Sequence, residues 1–305
     1  MITSVFSKSK PINIIIVISV IIIGFTLNTL FNSGLELVLS TNSVLCLILV
    51  VFYLFLADFI ISKNELNKRN SYGILVFGLT TLIFPEIFKN QNTLITNLLI
   101  LFATRRFLSL HTKKAINKKF FDAGFWIALA SLFYTWAILF YVVLIFAFLV
   151  YWQQQIKQIY IVLFSTITVA ILLVLYNVLF KDQFLPRSNF DFSYSFDFSF
   201  YNHLDKIIGL TIVITLYIWS SFFFLRTTNE KKKRFKPVYG LVFIMSIIAL
   251  AVAIVSPEKG GSEYVFFMFP FSVVVGNYIQ SIKGTWFKEV IVLLLLVGVL
   301  VNLVL

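Results

Sequence analysis

The sequence predicts an all-α, polytopic integral membrane protein with about 11 transmembrane helices, and three observations lead to this fold class. Of the 305 residues, 60% are hydrophobic and only 12% are charged, whereas a soluble domain is about half apolar and a quarter charged. Apolar runs of about 20 residues, long enough to cross a hydrocarbon core, recur along the whole chain. Short basic stretches separate these runs. We therefore expect a single transmembrane domain over residues 1–305.

Ten apolar runs can be placed from length and composition alone, since a transmembrane helix tolerates roughly 17–25 residues. Nine of them cover residues 12–31, 42–61, 72–88, 93–110, 158–180, 207–225, 238–256, 264–281 and 286–304, and the tenth lies within 120–152. The first run follows Lys8 and Lys10 and is too long for a typical cleaved signal. We therefore expect it to remain as the first span.

The run at residues 120–152 predicts a broken helical pair. Its 33 residues would form a helix of roughly 50 Å, against a hydrocarbon core of about 30 Å. With two crossings here, 20 of the 25 Lys and Arg residues, including the cluster Lys231–Arg234, fall on one side. Basic residues mark the cytoplasmic side, so the N-terminus is predicted to be inside, with 11 spans. The break is expected near Tyr134-Thr135-Trp136.

The longest predicted outer loop, residues 181–206, contains the stretch FDFSYSFDFSF at 190–200. Aromatic residues alternate with Asp or Ser, which is a strand-type period. One interpretation is an aromatic strip at the level of the lipid headgroups. The other is a lid whose rings, among them Tyr194 and Phe196, cover a cavity.

Two carboxylates on the predicted outer side are candidates for chemistry. Glu36 lies among apolar residues in FNSGLELVLSTN, where partial desolvation would raise its pKa and suit a general base. Glu86 follows Pro85 in FPEIFKNQN, so either it acts in the same site or it only caps the turn. The sequence contains no nucleotide-binding glycine loop and no metalloprotease motif. The short basic runs, without a recognised module, argue against nucleic acid.

Three features resemble the C-type membrane glycosyltransferases, which use polyprenyl-phosphate sugars. One is the order of a first span and a short loop carrying an acid, here Glu36. The others are residues 84–136, from FPEIFKNQN to FYTW, and residues 262–279, SEYVFFMFPFSVVVGNYI. The sequence departs from the family's pattern in having a single Glu in the first loop, Asn92 in place of a frequent acid, and Glu263 in place of a basic residue.

The resemblance implies a site at the outer face of the membrane. Glu36 would act as a base on an acceptor hydroxyl or as a metal ligand, and Glu86 would assist. The lipid phosphate would be held by Arg187, Lys181 or Lys259. No cofactor is certain from the sequence, although two carboxylates would suit Mg²⁺ or Mn²⁺.

The sequence also leaves other functions open. The opening ITSVFSKSKPIN resembles an uncharacterised family of bacterial inner-membrane proteins. A non-catalytic cell-envelope subunit or scaffold, with a protein partner in the membrane, is the alternative to an enzyme, and a transporter is the third. In each case we expect a multi-pass protein of the bacterial inner membrane whose basic inner face attracts anionic lipids.

Overall fold

The computed structural model describes residues 1–33, 40–151, 157–184, 192–257 and 259–304. Within these ranges the chain is all-α and contains no strand, which confirms the all-α part of the prediction. A short helix, Ile2–Val5, precedes 11 longer helices in the described ranges. These are α1 (Pro11–Ser33), α2 (Thr41–Lys63), α3 (Tyr72–Ile83), α4 (Gln91–Leu108), α5 (Ile116–Phe133), α6 (Tyr141–Val150), α7 (Lys157–Lys181), α8 (Leu204–Glu230), α9 (Lys236–Val255), α10 (Val265–Ser281) and α11 (Thr285–Val304).

Seven of the described helices are long and apolar enough to cross a membrane: α1, α2, α4, α7, α8, α9 and α11. The chain also has shorter apolar helices, α3 and the segment Thr135–Val150. Each apolar run found in the sequence contains a helix, although the run at residues 72–88 is α-helical only to Ile83 and continues as a 3-10 helix, Pro85–Lys89. The count of 11 crossings and the cytoplasmic N-terminus remain predictions.

The broken helical pair lies where the sequence predicts it. Helix α5 ends at Phe133, Tyr134 is extended, and a 3-10 helix, Thr135–Phe140, leads into α6. The side chains of Tyr134 and Phe140 both contact the ring of Phe266 in α10, with centroid distances of 5.4 and 6.0 Å. Neighbouring side chains therefore shield the break, as a helix end within an apolar environment requires.

Helices α3 and α10 form the buried centre of the bundle. All 12 residues of α3 are buried, and so are the residues of α10 from Val265 to Ile279. The two helices approach most closely at Gly73 and Gly276, where a Cβ added to Gly276 would lie 3.0 Å from the backbone of Gly73. Only glycine permits this approach, so the pair sets the positions of the surrounding helices.

The bundle has two ends, which we name by their chemistry. At the basic end, α2 finishes at Lys63 and α4 finishes with Arg105 and Arg106. At the opposite end, α2 starts beside Ser40 and α4 starts at Gln91. We call this the cleft end, because a polar cleft opens there. Glu86 lies just before the start of α4. The basic residues and this candidate carboxylate are therefore at opposite ends of the bundle.

The strand interpretation of FDFSYSFDFSF is wrong for its described part, residues 192–200. These residues form an irregular segment that enters a 3-10 helix, Ser199–Asn202. The backbone N–H of Ser199 donates to the carboxylate of Asp197 at 2.9 Å, and that of Asp197 donates to the Ser195 hydroxyl at 3.1 Å. Short polar side chains thus take the hydrogen bonds that a neighbouring strand would otherwise provide.

Candidate functional site

A polar cleft of about 550 Å³ opens at the cleft end of the bundle. Side chains with amide, carboxylate, ammonium and hydroxyl groups supply most of its lining. The lining residues are Asn42, Glu86, Lys89, Asn90, Gln91, Asn92, Phe200, Gly260 and Ser262. Such a surface offers many hydrogen-bond donors and acceptors to one small polar ligand.

Glu86 is positioned by the segment that follows α3. Pro85 ends α3 and starts a 3-10 helix, Pro85–Lys89, which carries Glu86 into the cleft wall. One carboxylate oxygen of Glu86, Oε1, forms an ion pair with the ammonium of Lys206. The other, Oε2, is buried and has no hydrogen-bond partner among the described residues. The unpaired oxygen is an acceptor without a donor, which is uncommon for a buried polar atom.

Lys206 connects Glu86 to two further groups. Its ammonium lies 2.9 Å from a carboxylate oxygen of Asp205 and donates to Oδ1 of Asn302 at 3.3 Å. Asn302 in turn donates to the backbone carbonyl of Ile83, at the end of α3, at 2.8 Å. The network ties α8 and α11 to the segment that carries Glu86 and fixes its carboxylate.

A second carboxylate, Glu263, lies next to this segment. It is 1% exposed, and its Oε1 accepts a hydrogen bond from the hydroxyl of Tyr201. Its Oε2 is buried without a hydrogen-bond partner in the described part of the chain. Burial raises the pKa of the Glu263 carboxyl above its usual range, and the Tyr201 hydroxyl opposes this in part. Glu263 is therefore biased toward its neutral form.

Gly261 brings the two carboxylate segments together. Its φ is +84°, a conformation that glycine adopts at no steric cost. A Cβ at this position would lie 3.1 Å from Oε2 of Glu86. The ring of Phe84 stacks on that of Tyr264 with centroids 4.7 Å apart, which holds the same two segments in contact.

An apolar crevice of about 500 Å³ adjoins the polar cleft. Gly24 and Phe25 of α1, Leu82 of α3, and Val299 and Leu303 of α11 supply apolar lining, which is the larger part of its surface. Polar side chains also line it, and these include Asn28, Thr29, Ser40 and Ser43. The cleft and the crevice share two lining residues, Asn42 and Lys89. The two compartments, one polar and one mainly apolar, meet at a lysine. This arrangement suits an amphiphilic ligand that has a polar headgroup, an apolar chain and an anionic group between them.

The described part of FDFSYSFDFSF, residues 192–200, which we call the aromatic segment, forms one side of the cleft. The indole N–H of Trp136 donates to the carbonyl of Ser193 at 2.8 Å, and Tyr201 is bound to Glu263. Phe200, between these attachments, lines the cleft. Tyr194 and Phe196 are both exposed and pack on each other at 5.6 Å. The ring that lines the cleft is therefore Phe200, and not Tyr194 or Phe196, the two rings that the sequence predicts there.

Of the other predicted site residues, Lys181 and Lys259 are described, and they are not part of the lining of the polar cleft. Glu36 and Arg187 lie outside the described residues. Lys181 is at the end of α7, a helix that packs mainly on α5, and its ammonium lies 5.8 Å from the Tyr176 ring centroid. Lys259 donates to the carbonyls of Ala253 and Ile254, at 2.8 and 2.5 Å. Neither lysine lines the polar cleft, whereas Lys89 does.

Several residues of the site were not predicted. Lys206, Asn302 and Tyr201 come from distant parts of the chain, and their roles depend on which helices are neighbours. The cluster of amides from Asn90 to Asn92 was visible in the sequence as a polar turn. Within the described residues, no group of three His, Cys, Asp or Glu side chains is placed to hold a metal ion.

The helices and the cleft define a polytopic helical membrane protein with a polar site at one end of the bundle. The chain belongs to a family of unknown function, DUF6427, whose model matches residues 1–304. This agrees with the expected uncharacterised family, and it gives no resemblance to glycosyltransferases. No curated protein and no solved structure matches the chain.

Proposed function

We propose that this protein is a glycosyltransferase-like membrane protein that acts on a sugar linked to a polyprenyl phosphate. The observation that carries the proposal is the meeting of the polar cleft and the apolar crevice at Asn42 and Lys89. The sugar occupies the cleft, where amides and carboxylates match its hydroxyl groups. The lipid chain lies in the crevice between α1, α3 and α11, and the phosphate lies at Lys89.

The proposed chemistry is transfer of the sugar to an acceptor hydroxyl. The hydroxyl oxygen forms a bond to the anomeric carbon while the bond from that carbon to the phosphate oxygen breaks. The phosphate leaves with the bonding electron pair, and the ammonium of Lys89 stabilises its charge. The hydroxyl proton passes to a carboxylate. Among the described residues, Oε2 of Glu86 is the candidate acceptor, because it has no hydrogen-bond partner there. Glu36, four residues before Ser40 of the crevice, is the other candidate base.

We also propose that the cleft end faces outward from the bacterial inner membrane. The basic clusters at the opposite end of α2 and α4 support this orientation, because cytoplasmic loops hold most Lys and Arg. The same clusters would attract anionic lipids of the inner leaflet. The proposal includes a divalent ion that Glu36 would bind together with Glu86.

The proposal is tested with purified protein in lipid nanodiscs and a polyprenyl-phosphate sugar. We expect transfer to an acceptor, with release of polyprenyl phosphate. Positioned general bases contribute about 10²–10⁴-fold, so Glu86→Gln or Glu36→Gln should lower turnover by at least about 100-fold while the lipid still binds. Lys89→Ala should weaken lipid binding. Lys283→Ala, an exposed lysine at the basic end, is the charge-matched control.

Two outcomes would contradict the proposal. Unchanged turnover in both glutamate variants would remove them from the chemistry. Lipid binding without any transfer would reject the enzyme and favour the non-catalytic subunit. Retained folding of each variant is checked by size-exclusion chromatography and circular dichroism.

A further inference from the structure

A separate cavity, the lateral groove, lies between α5, α6 and α7, and its volume is about 580 Å³. Its walls are almost entirely apolar, and Phe120, Leu144, Phe148, Gln158, Leu163 and Thr166 are among its lining residues. It shares no lining residue with the polar cleft or the apolar crevice. What binds there is therefore a question separate from the proposed function.

The length of the groove is close to the thickness of the hydrocarbon part of one leaflet. A Cβ on Gly124 of α5 would meet the Ser165 hydroxyl of α7, and both residues lie eight positions after the first residue of their helix. Helices α5 and α7 thus begin at the same end of the bundle. The lining runs along α7 from Gln158 to Thr166, a rise of about 12 Å. Half of a hydrocarbon core is about 15 Å.

Gln158 provides a polar anchor at the start of the groove. Its side chain is 4% exposed, and its Oε1 is buried with no hydrogen-bond partner among the described residues. The other polar groups of the lining are paired, because the hydroxyls of Tyr141 and Thr166 bond to each other at 2.7 Å and Tyr141 also donates to the carbonyl of Gly124. A buried amide oxygen without a donor marks the place of a ligand hydroxyl or N–H.

Basic residues stand at the mouth of the groove. Lys157 is exposed and directly precedes Gln158 at the start of α7. Lys118 is exposed in the first turn of α5, two residues before Phe120. These lysines complement an anionic headgroup at the level where the groove begins.

We propose that the lateral groove binds an anionic glycerophospholipid of the leaflet at the basic end. One acyl chain lies in the groove, the phosphate lies at Lys118 and Lys157, and a headgroup or glycerol hydroxyl donates to Oε1 of Gln158. The length of the groove is close to the thickness of one leaflet, so it favours the acyl chain of an ordinary membrane lipid. The two lysines select negative charge, and the unpaired amide oxygen selects a headgroup that carries hydroxyls.

The experiment compares phosphatidylglycerol with phosphatidylcholine by native mass spectrometry of the full chain in detergent. Wild-type protein should retain one phosphatidylglycerol in preference to phosphatidylcholine. Gln158→Leu should weaken phosphatidylglycerol binding about fivefold, as expected for one lost hydrogen bond. Lys118→Ala with Lys157→Ala should abolish the preference between the two lipids.

A matched pair of tryptophan substitutions tests the cavity itself. Leu163 lines the groove, whereas Leu172 is exposed further along α7 and does not line it. Leu163→Trp should remove the bound lipid, and Leu172→Trp should leave it in place. Equal lipid retention in both variants would overturn the proposal. Equal binding of the two lipids by the wild type would also overturn it. A third contrary result would be a wild-type dimer that Leu163→Trp converts to monomer without loss of lipid, because the groove would then bind a second copy of the chain.

Discussion

Substitution of Gly276 by alanine should destabilise the protein, although alanine is the better helix former. The added Cβ would lie 2.8 Å from the amide nitrogen of Asn67 and 3.0 Å from two backbone atoms of Gly73, whereas 3.4 Å is the shortest ordinary contact. The Gly73 backbone belongs to α3, which is buried on all sides. It cannot move without disturbing the surrounding helices, so the strain falls on the central helix pair.

The expected size of the effect follows from two opposing contributions. Overpacking of a well-packed interior costs about 1–3 kcal/mol, and replacing glycine in a helix gains about 0.5–1 kcal/mol. The upper end of the cost applies here because backbone atoms are the obstacle. We therefore expect a net loss of about 2 kcal/mol in the free energy of unfolding.

Gly240→Ala is the matched control. Gly240 is also within a helix, and a Cβ there would meet only a ring atom of Phe146 at 3.9 Å. This variant should gain about 0.5–1 kcal/mol. Both are measured by reversible denaturation in mixed micelles, followed by tryptophan fluorescence. A Gly276→Ala protein as stable as the wild type would refute the close approach of α3 and α10.

Three further predictions concern the cleft and its orientation. Lys206→Met should cost about 3 kcal/mol by leaving Glu86 without its partner, and adding Glu86→Gln should recover part of that loss in the same denaturation assay. Because burial raises the pKa of Glu263, its stabilising contribution is present at acid pH and is lost as the pH rises through the folded-state pKa. Glu263→Gln should therefore gain stability relative to wild type as the pH rises above the ordinary glutamate range in thermal melts, and a constant difference would contradict this. A cysteine at Asn92 should react with a membrane-impermeant reagent added to intact cells, whereas one at Lys233 should not; the reverse pattern would invert the orientation.

The helices could be predicted because run length and apolar composition are local properties. The break at Tyr134 could be predicted because a run of 33 residues is too long for one crossing. The strand prediction for FDFSYSFDFSF is wrong because alternation gives a strand only where a neighbouring strand exists. In the described part, Asp197 and Ser195 bond to the backbone instead.

The site was predictable only in part. Glu86 could be found because Pro85 ends a helix and places the next residue at the end of an apolar run. The partners of the two carboxylates could not be found, since Lys206 is 120 residues after Glu86 and Tyr201 is 62 residues before Glu263. Such pairs depend on helix packing, which a single sequence does not encode in any local pattern.

The burial of α3 has a consequence for how the protein is made. At 12 residues α3 is about 18 Å long, and its main packing partner, α10, begins about 190 residues later in the chain. At a synthesis rate of about 5–20 residues per second, α3 waits roughly 10–40 s for that partner. During this interval α1 and α2, which precede α3 in the chain and contact it in the bundle, are its available packing partners. The central helix of the mature bundle is therefore one of the last to reach its final surroundings.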